Sequence, residues 1–124
     1  MSKRLDQLLA KIREYALTFP EAYDEIAWEK DRLAKVNKKT FVFMGTEVDP
    51  KTGFTFSVKL PQSHAEALQY PFAAPTGYGL GKAGWVTIRI VPGDRTPIEL
   101  LKPWIEESYR AVAPKKLVAK LDAG

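Results

Sequence analysis

Two turn-forming gaps, Asn37-Lys38-Lys39 and Asp49-Pro50-Lys51-Thr52-Gly53, interrupt a series of short stretches that alternate or are rich in β-branched and aromatic residues. The stretches are Tyr23 to Trp28, Arg32 to Val36, Thr40 to Met44 and Phe54 to Leu60. Asn, Asp, Pro and Gly supply the conformations a tight reversal needs, so the stretches read as three or four antiparallel strands in a meander. A sheet of this kind must cover its apolar face, and the flanking segments supply the cover. Leu5, Leu8, Leu9, Ile12 and Ala16 recur at helical spacing over residues 3–17, ended by Thr18-Phe19-Pro20. Ser63-His64-Ala65-Glu66 has capping-box spacing and predicts a short helix that stops before Pro71. Trp85 to Ile90 reads as a further strand. Thr96-Pro97-Ile98-Glu99 repeats the capping box with Pro at the first helical position, and Ile98, Leu101, Ile105 and Val112 give the buried stripe of a long helix that Pro103 bends without ending. Lys115 to Leu121 forms a last short basic helix after Pro114. The order is helix, four strands, helix, strand, two helices, an α+β fold of about five strands with helices on one face of an antiparallel sheet.

With 124 residues the chain suits one domain, 1–124. Having no Cys, it excludes disulfide scaffolds, zinc ribbons and thiol nucleophiles. No segment approaches the roughly 18 consecutive apolar residues of a membrane span, and Met1-Ser2-Lys3-Arg4-Leu5-Asp6 is polar where a signal peptide has its apolar core. A cytoplasmic monomer without membrane contact is expected. Nineteen Lys and Arg against 15 Asp and Glu give a net charge of +4, compatible with a polyanionic partner but diluted by interspersed acids.

Gly79-Leu80-Gly81-Lys82-Ala83-Gly84 fits G-x-G-x-x-G letter for letter. A dinucleotide site needs a strand before the glycines and a helix after them; here a strand follows, and the ribose-binding acid expected about 20 residues on is missing. A Walker A loop fails as well, because Ala83 stands where a Mg²⁺-binding hydroxyl is required. The glycines read as a tight surface loop. His64, the only imidazole, sits in the first turn of a short helix and is expected to be exposed. Asp24, Glu25, Glu29 and Asp31 lie on a strand that alternates between faces and carries Lys30 and Arg32 among them, so a charge-paired solvated strand is preferred over a metal cluster.

The strands leave a definite set outward. Phe54, Phe56, Val58 and Leu60 point inward and Thr55, Ser57 and Lys59 outward; Val86, Ile88 and Ile90 point inward and Trp85, Thr87 and Arg89 outward. If the two strands share a sheet, its open face carries two cations, hydroxyls and one large aromatic, which suits phosphate contact and base stacking. The hairpin with Lys30, Arg32, Lys35, Lys38 and Lys39 against Asp31 adds a basic wing, and Lys115, Lys116 and Lys120 a second basic element. Trp85 is expected outside the main core, covered by Tyr78 or Leu80 folding back from the glycine loop.

Several segments resemble the MmcQ/YjbR family of small bacterial proteins. They are Trp28 with the Lys35-Val36 and Lys39-Thr40-Phe41 hairpin, Phe56-Ser57-Val58-Lys59-Leu60, Pro75-Thr76-Gly77-Tyr78-Gly79-Leu80-Gly81-Lys82-Ala83-Gly84-Trp85-Val86, Glu107-Ser108-Tyr109-Arg110, and Ala113-Pro114-Lys115-Lys116-Leu117. Lys38 departs from the pattern, where the family has Gly. The resemblance implies a compact α+β fold with a curved antiparallel sheet and, from a double-wing likeness, a DNA-binding role. It brings no catalytic residue, metal or cofactor. The expectation is therefore a non-enzymatic DNA-binding protein using Lys38, Lys39, Lys59, Lys82 and Arg89 on phosphates and Trp85 for stacking. The alternative is a protein or peptide module using a sheet edge or a groove beside Phe72, Tyr78 and Trp85. A small-molecule site under the Pro75 to Gly84 loop ranks last, because no nucleophile, base and oxyanion donor converge.

Overall fold

A computed structural model describes residues 3–27, 31–45, 48–77, 80–93 and 95–123; Trp28, Glu29, Lys30, Tyr78 and Gly79 of the sequence reading lie outside them. Helix α1 (Lys3–Ala16) leads into strands β1 (Tyr23–Ala27), β2 (Asp31–Val36), β3 (Lys39–Gly45) and β4 (Phe54–Lys59). Helix α2 (His64–Ala67), strand β5 (Ala73–Pro75), a 3-10 turn (Leu80–Ala83) and strand β6 (Trp85–Ile90) follow, then helices α3 (Ile98–Val112) and α4 (Lys115–Ala123). The strands form one curved antiparallel sheet in the order β1-β2-β3-β4-β6-β5. The expected element order holds, with one strand more than the sequence showed. Strand β5 hides in the Pro- and Gly-rich stretch and borders β6 for three residues, an edge position where the missing N–H of Pro75 is tolerated.

One hydrophobic cluster holds the layers together. Leu5, Leu8, Leu9, Ile12 and Ala16 of α1, Leu101, Trp104, Ile105 and Tyr109 of α3, and Leu117 of α4 meet Ala34, Val36, Val42, Met44, Phe54, Phe56, Val58, Val86, Ile88 and Ile90 of the sheet. The helices therefore share one face, as the apolar periodicity required. Helix α3 runs unbroken through Pro103, an exposed position early in the helix.

The β2–β3 hairpin turns on Asn37 and Lys38, both with positive φ (51° and 67°), the sign pattern of the two-residue turn whose twist matches the strands. The hairpin shape thus survives the Lys that replaces Gly. A bulge follows: Ala34 pairs with Val42 and Lys35 with Thr40, so Phe41 is the extra residue. Phe41 and Val42 are consequently both buried.

Residues 107–110 of α3 fasten five parts of the fold. Glu107 accepts the backbone N–H groups of Gln62 and Ser63 (2.9 and 3.0 Å) and the Ser63 hydroxyl (2.6 Å). The fully buried Ser108 hydroxyl accepts the Lys59 N–H (2.8 Å) and donates to the Phe41 carbonyl (2.5 Å), where the β3–β4 ladder stops at Val42 and Val58. Tyr109 stacks on Phe19 at 4.8 Å and donates to the Pro20 carbonyl (2.8 Å). Burial raises its phenol pKa, with a smaller contribution from Glu21. Arg110 binds Glu106 (2.9 Å) and Asp122 (2.6 Å), tying α4 to α3.

Both capping expectations need correction. Ser63 makes no side-chain cap to α2, since its hydroxyl is engaged by Glu107 from across the fold rather than by its own helix. At α3 the cap position falls on Pro97, which has no side-chain acceptor, and the helix begins at Ile98.

Candidate nucleic-acid interface

Pairing registers sort the sheet into a helix-bearing face and an open face. Phe43 pairs with Ser57, Ser57 with Thr87, Thr87 with Ala74, Lys59 with Trp85 and Thr55 with Arg89, and partners in register share a face. Across β3 to β6 the described open-face positions carry no carboxylate. At β1 and β2, by contrast, Glu25 holds Lys35 at 3.3 Å. Asp24 lies on the other face beside Arg13 (3.6 Å) and Arg32 (3.9 Å). The acids of the first strand are thus charge-paired, as the alternation suggested.

A short hydroxyl chain crosses the open face. Ser57 Oγ lies 2.8 Å from Thr87 Oγ1, which lies 3.0 Å from Thr76 Oγ1. Next to it Trp85 meets Phe43 edge-on, with ring centroids 5.1 Å apart and planes at 64°. Trp85 is only 8% exposed yet stands outside the core cluster. It is covered, and one ring that packs on it is Phe43, two strands away in the sheet; Leu80 is 36% exposed. Tyr78 lies outside the described residues. An indole this covered offers little free face for stacking; Phe43, half-buried, is the more open ring of the pair.

The six residues singled out from sequence do not form one cluster. Lys59 and Trp85 are cross-strand neighbours, and the exposed Lys82 sits on the 3-10 turn just before β6. Arg89 shares Trp85's strand and the same face but stands four residues along, about 13 Å away. Lys38 occupies the exposed hairpin tip at the same end of the sheet as Lys59. Lys39 pairs with the core residue Val36, so it leaves the strand toward the helix side and not with Lys59 and Arg89. Among the described residues none of these five cations has a carboxylate partner. Phe43 and Thr76 were missed: Phe43 was read only as part of a strand, and Thr76 only as part of a loop.

The expected groove of Phe72, Tyr78 and Trp85 is not assembled by the described rings. Phe72 stacks on Tyr70 (5.0 Å) and meets Trp104 (6.3 Å), packed against the core, whereas Trp85 belongs to the open face. Recesses of about 450 and 330 Å³ lie between α1 and α3, away from the glycine loop. The described part of that loop is tied by backbone bonds: Gly81 N–H donates to the Thr76 carbonyl (3.0 Å), and Leu60 N–H, from just past the end of β4, to the Gly84 carbonyl (2.8 Å). Gly84 takes φ +93°, so it serves the turn and not a pyrophosphate. His64 is exposed, with Nδ1 2.9 Å from the Leu60 carbonyl. Among the described residues no group of three His, Cys, Asp or Glu could hold a metal, and no helix is long and apolar enough to cross a membrane.

The sequence model of the YjbR family, described as YjbR, matches residues 17–111, more than half of the chain. The matched span takes in the whole sheet and α3 through residues 107–110. No curated protein matches the chain.

Proposed function

The chain belongs to the YjbR family, and from that premise we propose that it is a non-enzymatic DNA-binding protein that receives the phosphate backbone on the open face of its sheet. The observation that carries this reading is the β4–β6 surface. Lys59 and Arg89 stand on it without acid partners among the described residues, separated by the half-buried Thr87 hydroxyl, with the exposed Lys82 on the turn just before β6. Lys38 extends the cationic end as a wing. Phosphate contacts of this kind position a chain on nucleic acid without reading its sequence.

A salt titration tests the reading. Binding to a mixed-sequence oligonucleotide must weaken steeply with salt, with a log–log slope of about −0.9 per phosphate on duplex and about −0.7 on single strands. Lys59→Gln with Arg89→Gln must flatten that slope by roughly two contacts. Absence of binding at low salt to either form of DNA would refute it.

A further inference from the structure

We infer that the open face takes single-stranded rather than duplex nucleic acid, with one base laid on Phe43 and the backbone running between Lys59 and Arg89. This rests on the DNA-binding reading above and goes further in naming the form of the ligand and the residue that holds it. Among the described residues no α-helix stands on this face to enter a major groove, and its centre is a floor of short side chains, the exposed Ala74, the half-buried Thr87 and the nearly covered Ser57, with cations at both ends. Such a floor admits a strand whose bases are free to turn inward. A duplex keeps its bases stacked on one another and presents phosphates instead.

Phe43 stands between Leu33 and Ser57, its cross-strand neighbours, and meets Trp85 edge-on. The indole is nearly covered, so its role is to hold the Phe43 ring rather than to stack itself. A half-buried ring braced from one side, beside hydroxyls and within reach of lysine, has the composition of a stacking platform, which tolerates any base because every base has a π-face. The charge pattern agrees. On β1–β2 the open-face Lys35 is neutralised by Glu25, whereas Lys59 and Arg89, flanking the ring and the hydroxyls, are left for phosphates.

The experiment measures fluorescence anisotropy of a labelled 12-nucleotide oligothymidine and of a 12-base-pair duplex, at low salt, with the full chain and two variants. Oligothymidine is expected to bind more tightly than the duplex. Phe43→Leu, which keeps the site apolar, is expected to weaken oligothymidine binding about tenfold or more and to change duplex binding less than about twofold. Arg89→Gln, at an exposed position, is expected to reduce the single-strand salt slope by about 0.7. Circular dichroism of each variant checks that the fold is retained; should Phe43→Leu unfold, the wild-type preference and the Arg89→Gln slope decide alone. Tighter duplex binding, or equal loss of both ligands in a folded Phe43→Leu, overturns the inference and leaves the DNA-binding reading standing. Binding of neither ligand overturns both.

Discussion

Replacing Ser108 by Ala removes one hydroxyl and leaves β3 and β4 without their bridge beyond the end of the ladder. In the native fold that hydroxyl accepts the Lys59 N–H and donates to the Phe41 carbonyl, and the residue is fully buried. Each backbone group left buried without a partner costs about 1–3 kcal/mol, so losing both gives about 2–6 kcal/mol. Part is recovered if the Lys59 N–H and the Phe41 carbonyl close on each other. That closure would move β3 toward β4 beneath Tyr109, which is fully buried and packs edge-on against Phe41 at 5.3 Å. We therefore expect a net loss of about 2–4 kcal/mol, a large share of a small domain's stability. Urea unfolding gives the loss as a lower midpoint with unchanged m. Amide exchange locates it, because the Lys59 N–H should lose protection selectively. A loss below about 1 kcal/mol, or undiminished protection at Lys59, would show that Ser108 does not splice the strands. Ser57→Ala serves as the contrast: Ser57 is nearly covered too, but its hydroxyl bonds only the Thr87 hydroxyl, which keeps Thr76 as a partner, and no backbone group is orphaned, so its removal should cost less than about 1 kcal/mol.

Four further outcomes follow from the same geometry. Glu107→Gln should destabilise by about 1–2 kcal/mol in denaturant melts, because one oxygen is exchanged for an NH₂ that cannot accept from Gln62, Ser63 or the Ser63 hydroxyl; no change would mean that this end of α2 is held by water instead. Gly53→Ala should cost about 2 kcal/mol or more, since φ is +84° and a Cβ there would stand 1.8 Å from the Ile90 carbonyl oxygen, and a variant with native melting would refute the turn geometry. Arg110 holds the Asp122 carboxyl below its ordinary value of 3.8, so the α3–α4 tie is present above that value and is lost as pH falls through the depressed one; α4 amide shifts that titrate at or above the ordinary value would contradict this. Trp85→Ala should cost about 3 kcal/mol, at the low end for large aromatic truncations because Phe43 lies outside the core, and a loss below about 1 kcal/mol would mean that the ring is not packed.

Strand alternation made the open face legible in the sequence, because period two sends Lys59, Trp85 and Arg89 to the side opposite Val58, Val86 and Ile88 whatever the neighbouring strands are. Alternation was silent on Lys39, which was singled out from the basic hairpin. It could not reveal the bulge at Phe41, and with it the side on which Lys39 leaves the hairpin, since a bulge is fixed by pairing with β2. Strand β5 was hidden because three residues ending in Pro carry no periodicity. The caps failed for a related reason. Ser-x-x-Glu is a local signal, and Ser63 found a stronger acceptor in Glu107, 44 residues away in the chain. Phe43 was passed over because its importance lies in Trp85 reaching it across the sheet, a contact that sequence spacing does not encode.

The segment Glu107-Ser108-Tyr109-Arg110 carried part of the family resemblance, and its place in the fold changes what that resemblance means. A run of charged and hydroxylic residues in a helix reads at first as chemistry. Here each side chain is engaged by the fold itself: Glu107 with the start of α2, Ser108 with β3 and β4, Tyr109 with the turn after α1, Arg110 with α4. Four neighbouring residues on one helix reach five parts of the fold because a helix turns about 100° per residue, so each leaves in its own direction. Such a segment constrains the fold strongly and the function hardly at all. The same holds for the glycine loop, whose Gly81 and Gly84 are required where a Cβ would press on Pro75, Thr76 and Leu60. With these segments assigned to architecture, the residues left for a partner are those that the fold does not use. Lys59 and Arg89 have no carboxylate among the described residues and their side chains join no two elements, while Phe43, half-buried on the open face, packs on Trp85 but stays outside the core cluster. Substituting them should therefore alter binding at little cost to the fold, whereas substitutions in residues 107–110 should do the reverse.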